Sequence, residues 1–277
     1  YRNLLPFNNF LKFRASWGRV GNDRLKDENG NDIRFPYLTT LGNVSSTWGT
    51  GLAENRTGSM NLKWEVSTKT NFGIDARFFD DKVDMTVDFF HTKTTDIFQR
   101  RANIPDEGGL SNVLPYANIG SMKSWGMDGT LAYTHTFNKD MALTVRGNFT
   151  YSKNEILEKD EENAVYPYQK EAGYRVNQAK GLIALGLFKD YDDIRNSPQQ
   201  TNWGKVQPGD IKYKDVNGDG IINGSDEVAI GATTKPNLIY GFGISAQWKG
   251  FDFNAHFQGA GKSSFFINGP TVYAFNG

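Results

Sequence analysis

The residues best placed for chemistry lie in one short acidic stretch, DVNGDGIINGSD, between Asp215 and Asp226. Asp215, Asn217 and Asp219 alternate, Gly220 permits a sharp turn, Ile221 can offer a backbone carbonyl, Asn223 stands ninth and Asp226 twelfth. Oxygen donors at this spacing, with glycine sixth, are how a loop wraps a hard cation. The expected ligand set is Asp215, Asn217, Asp219, Ile221, Asn223 and Asp226, and the expected ion is a structural Ca2+. Aspartate replaces the usual glutamate at the twelfth position, so the shorter carboxylate must reach further to bind through both oxygens. The same residues could instead form a cluster of hydrogen-bonded Asx-turns without metal. Glu227 to Gly231 reads as extended rather than helical, which predicts a single clip on a loop and not a paired calcium sensor.

No other group competes. His91, His135 and His256 fall on separate strands, and no nucleophile elbow, P-loop or HExxH pattern occurs. No catalytic residues are nominated and no enzyme is expected. The connection that carries the acidic loop is rich in aromatics (Tyr166, Tyr168, Tyr174, Tyr191 and Trp203) that could stack on sugars or grip a protein.

The elements that must position this loop are strands. Tyr240, Phe242, Ile244, Ala246 and Trp248 alternate with Gly241, Gly243, Ser245 and Gln247; after Lys249-Gly250, Phe251, Phe253, Ala255 and Phe257 alternate with Asp252, Asn254, His256 and Gln258. A period of two broken by a tight turn is a hairpin. The same theme runs upstream: Leu11 to Trp17, Phe72 to Phe78, Val83 to Phe89, Met127 to Phe137 and Leu143 to Tyr151. Seven strands are predicted. Short turns near Asp80-Asp81-Lys82, Asn138-Lys139-Asp140 and Lys249-Gly250 fall at one end. Long connections, Gly18 to Met60, Thr92 to Met122 (with Pro105, Gly108-Gly109 and Pro115) and Ser152 to Pro236, fall at the other. That asymmetry is the layout of an antiparallel up-and-down transmembrane β-barrel.

Charge supports the same reading. Arg14, Asp75, Arg77, Asp84, Asp88, Asp128 and Arg146 all take the polar parity, and Trp17, Trp64, Trp125, Tyr151 and Trp248 stand near strand ends, where an interfacial girdle belongs. The chain balances 31 basic against 31 acidic side chains in 277 residues, so nothing draws it to nucleic acid. It has no cysteine, and its longest apolar run, Gly181 to Phe188, is too short for a membrane helix. The opening YRNLLPFNNF lacks a signal-peptide pattern and the closing FFINGPTVYAFNG lacks a final strand, so a piece of a longer chain is expected.

Four blocks, LKFRASWGRVGND, LKWEVSTKTNFGIDARFFDDKVDMTVDFFHTKTTDIF, NIGSMKSWGMDGTLAYT and PGDIKYKDVNGDGIINGSDEVAIGATTKPNLIYGFGISAQWKGFDFNAHFQGAGK, occur in this order. Together they resemble the C-terminal barrel portion of SusC/RagA-type TonB-dependent outer-membrane transporters. The resemblance implies a fragment, residues 1–277, of a barrel of about 22 strands, with residues 152–236 as a long extracellular loop carrying the calcium-type loop at 215–226. It also implies import of oligosaccharides or peptides across the cell outer membrane, contact with outer-membrane lipid, a SusD-like surface lipoprotein over the mouth, and energy from the TonB complex through an N-terminal part outside this sequence. The acidic loop would then brace its connection beside the strand near Pro236. The competing reading is a soluble calcium-dependent module, since DVNGDGIINGSD also looks like a dockerin repeat; it lacks the second repeat and the helix.

Overall fold

The computed structural model describes residues 8–26, 30–47, 49–102, 104, 113–200 and 204–267. Trp203, Pro105 and Gly108-Gly109, and the last ten residues, lie outside them. In chain order the strands are β1 (Asn8–Asn22), β2 (Thr40–Ser46), β3 (Gly49–Arg56), β4 (Glu65–Phe78), β5 (Val83–Arg100), β6 (Tyr116–Asn138), β7 (Met141–Glu158), β8 (Gln178–Gly181) and β9 (Ala184–Leu187). A single-turn helix, α1 (Tyr191–Arg195), follows, and then β10 (Gln199–Gln200), β11 (Ile211–Tyr213), β12 (Ile221–Ile222), β13 (Val228–Thr233), β14 (Leu238–Trp248) and β15 (Phe251–Gly261). No helix among the described residues is long and apolar enough to cross a membrane, which leaves crossing by strands open.

The chain divides into two compact units: Tyr1–Glu162 with Asn237–Gly261, and Asn163–Pro236 with Lys262–Gly277. The first is built on a seven-stranded antiparallel sheet, ordered β1-β4-β5-β6-β7-β14-β15, so every wall strand pairs with the wall strand next to it in sequence. These are the seven strands the alternation predicts. Between irregularities near the strand ends (Asn8/Phe10, Thr94–Phe98, Ser121/Met122 and Thr136/Asn138) pairing is in continuous register, which carries one side-chain parity across the body of the sheet. Ile74 faces Val87, Val87 faces Gly129, and Val145 faces Ile244, which faces Ala255. On the other face the rows read Asp88, Asp128, Thr150 and Thr130, Asn148, Gly241, Gln258.

The short turns form as the spacing predicts. Lys249 and Gly250 both take positive φ, 46° and 85°, the handedness a two-residue hairpin needs. At the first turn Phe79, Asp80 and Asp81 all take φ near 60°, a conformation that aspartate tolerates better than most residues. Asn138 accepts a hydrogen bond from Asp140 N at 2.9 Å, an Asx-turn that holds the second hairpin to two linking residues.

Three connections are shorter and more ordered than expected. The first contains a hairpin, β2–β3, and β5, β6 and β7 run on to Arg100, back to Tyr116 and out to Glu158. These extensions escape an apolar alternation because polar ladders hold them: Ser67 Oγ to Thr94 Oγ1 at 2.8 Å, Lys123 Nζ to Glu155 Oε2 at 2.9 Å, and Ser121 Oγ to Glu158 Oε2 at 2.9 Å. Asn118, which no pattern marks, is the tie point. It accepts from Lys63 N and donates to the carbonyls of Lys63 and Asp96, each at 2.8 Å, pinning the incoming connection to β6.

Hardly any core lies under the apolar face. Among the described residues the buried hydrophobics are Ala76, Phe98, Phe188 and Ile222, while Phe13, Trp17, Phe242, Trp248, Phe251, Phe253 and Phe257 are each more than half exposed. Phe242 and Phe257 stack across the hairpin at 5.1 Å between ring centres, yet both remain more than half exposed.

Candidate functional site

The acidic loop lies in the second unit. Gly218 and Gly220 adopt φ of 78° and 82°, a conformation that favours glycine, and fold the chain back on Asp215. Asp215 accepts from Gly218 N at 2.6 Å through one oxygen and from Gly220 N at 2.8 Å through the other. Asn217 accepts from Asp219 N at 3.0 Å and donates to Asp219 at 2.9 Å; Asp219 in turn accepts from Ile221 N at 2.7 Å. Asn223 caps the turn Gly224–Asp226 by accepting from Ser225 N at 2.6 Å. The chain then leaves extended into β13, as the sequence predicts, with no following helix.

Asp226 organises the rest. It is completely buried, and its carboxylate accepts from Val216 N at 2.8 Å and from Asn223 N at 2.9 Å, with a longer contact to Asn217 N at 3.4 Å. A buried carboxylate is tolerable only when its lone pairs are satisfied, and backbone N–H groups satisfy these. The structure thus closes five of the six predicted positions, Asp215, Asn217, Asp219, Asn223 and Asp226, into one turn of chain. Ile221 lies in β12, beside β10. No group of three or more His, Cys, Asp or Glu among the described residues is arranged to hold a metal ion. Any cation must therefore compete with N–H groups for oxygens they already occupy.

Elsewhere in this unit, Asp193 accepts from Lys212 Nζ at 2.8 Å and from Lys189 N at 3.2 Å. The lysine, followed by the backbone N–H, holds the Asp193 carboxyl below the ordinary carboxylate range. Tyr166 and Tyr168 stack nearly parallel at 5.4 Å, and the Tyr168 hydroxyl donates to the Ser225 carbonyl at 2.8 Å. This spends one aromatic pair on the acidic loop rather than on an open platform.

The wall has its own site chemistry. All seven charged residues expected on the polar parity lie on that face of the register. Arg14 forms a two-pronged bond to Asp75, 2.9 Å on each arm, and reaches Asp88 at 2.8 Å; Arg77 pairs with Asp84 at 3.2 Å. Gly73 lies beneath the first cluster, where a Cβ would come within 2.3 Å of Asp88 Oδ1. On the opposite face Trp17, Thr70, His91, Trp125 and Lys153 form one row across five strands. The twelve steps from Trp125 to Phe137 on β6 cover roughly 40 Å of strand at about 3.3 Å each, or roughly 30 Å after a barrel tilt near 40°. That is an apolar band with its interfacial margins, which makes the Trp row its outer rim and the Phe137–Trp248 end its inner one. His91 and His135 fall on this apolar parity and His256 on the polar one, so the three histidines share no site.

Comparison with known proteins identifies this architecture. A family model described as TonB dependent receptor-like, beta-barrel, matches residues 1–268. The TonB-dependent receptor P26 of Formosa agariphila is 29% identical over 267 residues, covering 90% of this chain and 25% of its own length. SusC of Bacteroides thetaiotaomicron is 25% identical over 262 residues, 88% of this chain and 24% of that one. Among solved structures, the RagAB peptide transporter superposes with a TM-score of 0.63 at 25% identity, over 91% of this chain and 26% of that one. The open-open state of the RagAB peptide importer gives 0.66 at 24% identity, over 93% of this chain and 26% of that one. The chain spans about a quarter of the length of the curated relatives it matches. A match over nearly all of its residues leaves no room for the soluble calcium-module alternative. With a two-faced sheet whose apolar side chains are largely exposed among the described residues, and this match, the chain belongs to the TonB-dependent receptor-like β-barrel family, as a stretch of outer-membrane barrel wall of the SusC/RagA type.

Proposed function

We propose that this chain is part of an active outer-membrane transporter that takes up oligosaccharides or peptides, energised through the TonB complex and closed at its mouth by a SusD-like surface lipoprotein. The observation that carries the proposal is the continuous parity of the wall, one face apolar and uncovered, the other lined by Arg14, Asp75, Asp88, Asp128, Asn148 and Arg146. A face of that kind lines an aqueous lumen. The likeness to the RagAB peptide importer supports a peptide cargo; the resemblance to the wider SusC/RagA group supports oligosaccharides equally.

Cells carrying and lacking the full-length gene, offered labelled peptides and labelled oligosaccharides, test the cargo directly. Uptake of one class should disappear with the gene and with TonB, and a surface lipoprotein should co-purify in near-equal amount. Uptake unaffected by either loss would overturn the proposal.

The acidic loop takes a Ca2+ ion in this reading, weakly and as a stiffener of its own connection. Asp215, Asn217, Asp219, Asn223, Asp226 and the Ile221 carbonyl would supply the oxygens, and the N–H bonds already held by Asp226 argue for weak binding, on the order of the 10⁻⁴–10⁻³ M typical of extracellular calcium modules. Calorimetry should show binding that Asp215→Ala abolishes; no heat up to millimolar Ca2+ would leave the loop as a metal-free clip.

A further inference from the structure

Midway along β6, β7, β14 and β15 the lumen face carries a recess of about 200 Å³. Its lining combines Thr130, Arg146, Asn148, Gly241 and His256, on the polar parity, with apolar surface from Leu131, Ala132 and Gly147. Two buried glycines, Gly241 in its lining and Gly243 two residues along the same face, leave space for its polar side chains. A Cβ on Gly241 would come within 2.5 Å of Asn148 Oδ1 and 3.1 Å of the His256 ring; one on Gly243 would come within 2.9 Å of His256 Nδ1 and 3.2 Å of Arg146 Nε. Any larger residue would push these three polar side chains aside.

Arg146 differs from Arg14 and Arg77, the other arginines at this level of the polar face. Arg14 and Arg77 are neutralised by carboxylates on neighbouring strands. Arg146 has no carboxylate partner among the described residues. Its contact is one hydrogen bond from Nη2 to Asn254 Oδ1 at 2.9 Å, which orients the group without cancelling its charge. A guanidinium carries five N–H donors, so most of this one's capacity is unspent. An aromatic nitrogen ring and an amide stand beside it. The recess is smaller than the roughly 300 Å³ of a site that encloses a whole small molecule, so it suits one group of a longer ligand.

We propose that this recess is a carboxylate-recognition point on the lumen wall, where Arg146, assisted by Asn148 and His256, takes an acid group of a ligand in transit. The carboxylate could belong to an acidic sugar or to a peptide, and the chemistry is the same. The proposal rests on the transporter reading, because it needs the polar face to line a ligand-filled lumen.

The test is equilibrium binding to the full-length receptor in detergent with four probes: an oligouronate, a neutral oligosaccharide of equal length, an acidic peptide, and the same peptide with its acids amidated. At least one acidic probe should bind more tightly than its neutral counterpart, and the pair that shows the difference names the source. Arg146→Gln should weaken that acidic probe by about tenfold or more, the usual worth of a charge-assisted pair, and leave the neutral one unchanged; Arg146→Lys should recover part of the loss. Heat-modifiable migration on gels checks that each variant is folded. Equal binding of acidic and neutral probes, or equal loss of both in Arg146→Gln, would overturn the proposal, whereas uptake of a neutral cargo would leave the transporter reading intact.

Discussion

Asp226 shows how one buried side chain can hold a loop. Its carboxylate, without solvent exposure, gathers N–H groups from two separated points of the chain, Val216 and Asn223. Asp226→Ala should strand those donors in a buried site at about 2–4 kcal/mol, read as faster amide exchange across residues 215–227, while exchange in the wall strands stays constant. The spacing of Asp215, Asn217 and Asp219 made the loop visible in the sequence, because each of these turn residues bonds a backbone N–H two to five positions on. What spacing could not show is where the oxygens point, since backbone N–H groups and a cation compete for the same lone pairs. Asp193 adds a pH dependence. Lys212 and the Lys189 N–H lower its folded pKa, so its contribution is complete above the unfolded value of about 3.9 and is lost as pH falls through the lowered one. Intrinsic-rate-corrected exchange of residues 186–214 should therefore be flat from neutral pH to about 4 and rise below it, and Asp193→Asn should flatten that acid step.

The strand hairpin is the element whose behaviour parity alone decides. Ile244 and Ser245 are neighbours on β14, but Ile244 faces Val145 and Ala255 on the apolar side while Ser245 faces Thr144 and Asn254 on the polar side. Arginine at 244 should destabilise folding into lipid vesicles by about 2–4 kcal/mol, and arginine at 245 by far less, measured by denaturant titration of the full-length receptor. The membrane part of each strand was legible because lipid and water impose opposite side-chain chemistry at every second residue. Beyond the Trp17–Trp125 row water lies on both sides and that constraint ends. There β5, β6 and β7 continue on Lys123–Glu155, Ser67–Thr94 and Ser121–Glu158 contacts that no apolar periodicity announces. The β2–β3 hairpin escaped notice for the same reason: Leu41, Val44 and Leu52 are exposed and pack no face.

At the scale of the molecule, the sheet ends on β1 and β15, each paired along one side only. Unpaired strand edges are not stable in hydrocarbon, so the wall requires further strands to complete a barrel, consistent with relatives about four times as long. The carboxylate recess and the acidic loop acquire their roles only within that larger assembly. Both depend on one claim, that the apolar face meets acyl chains and the opposite face meets water. The chain has no cysteine, so a single cysteine placed in turn at each position from 239 to 247 gives this segment one spin label at a time in the full-length receptor in bilayers. Accessibility to oxygen should peak at positions 240, 242, 244 and 246, and accessibility to a water-soluble nickel complex at 241, 243, 245 and 247. Low accessibility to both reagents at the even positions, the signature of a covering protein layer, would contradict the account.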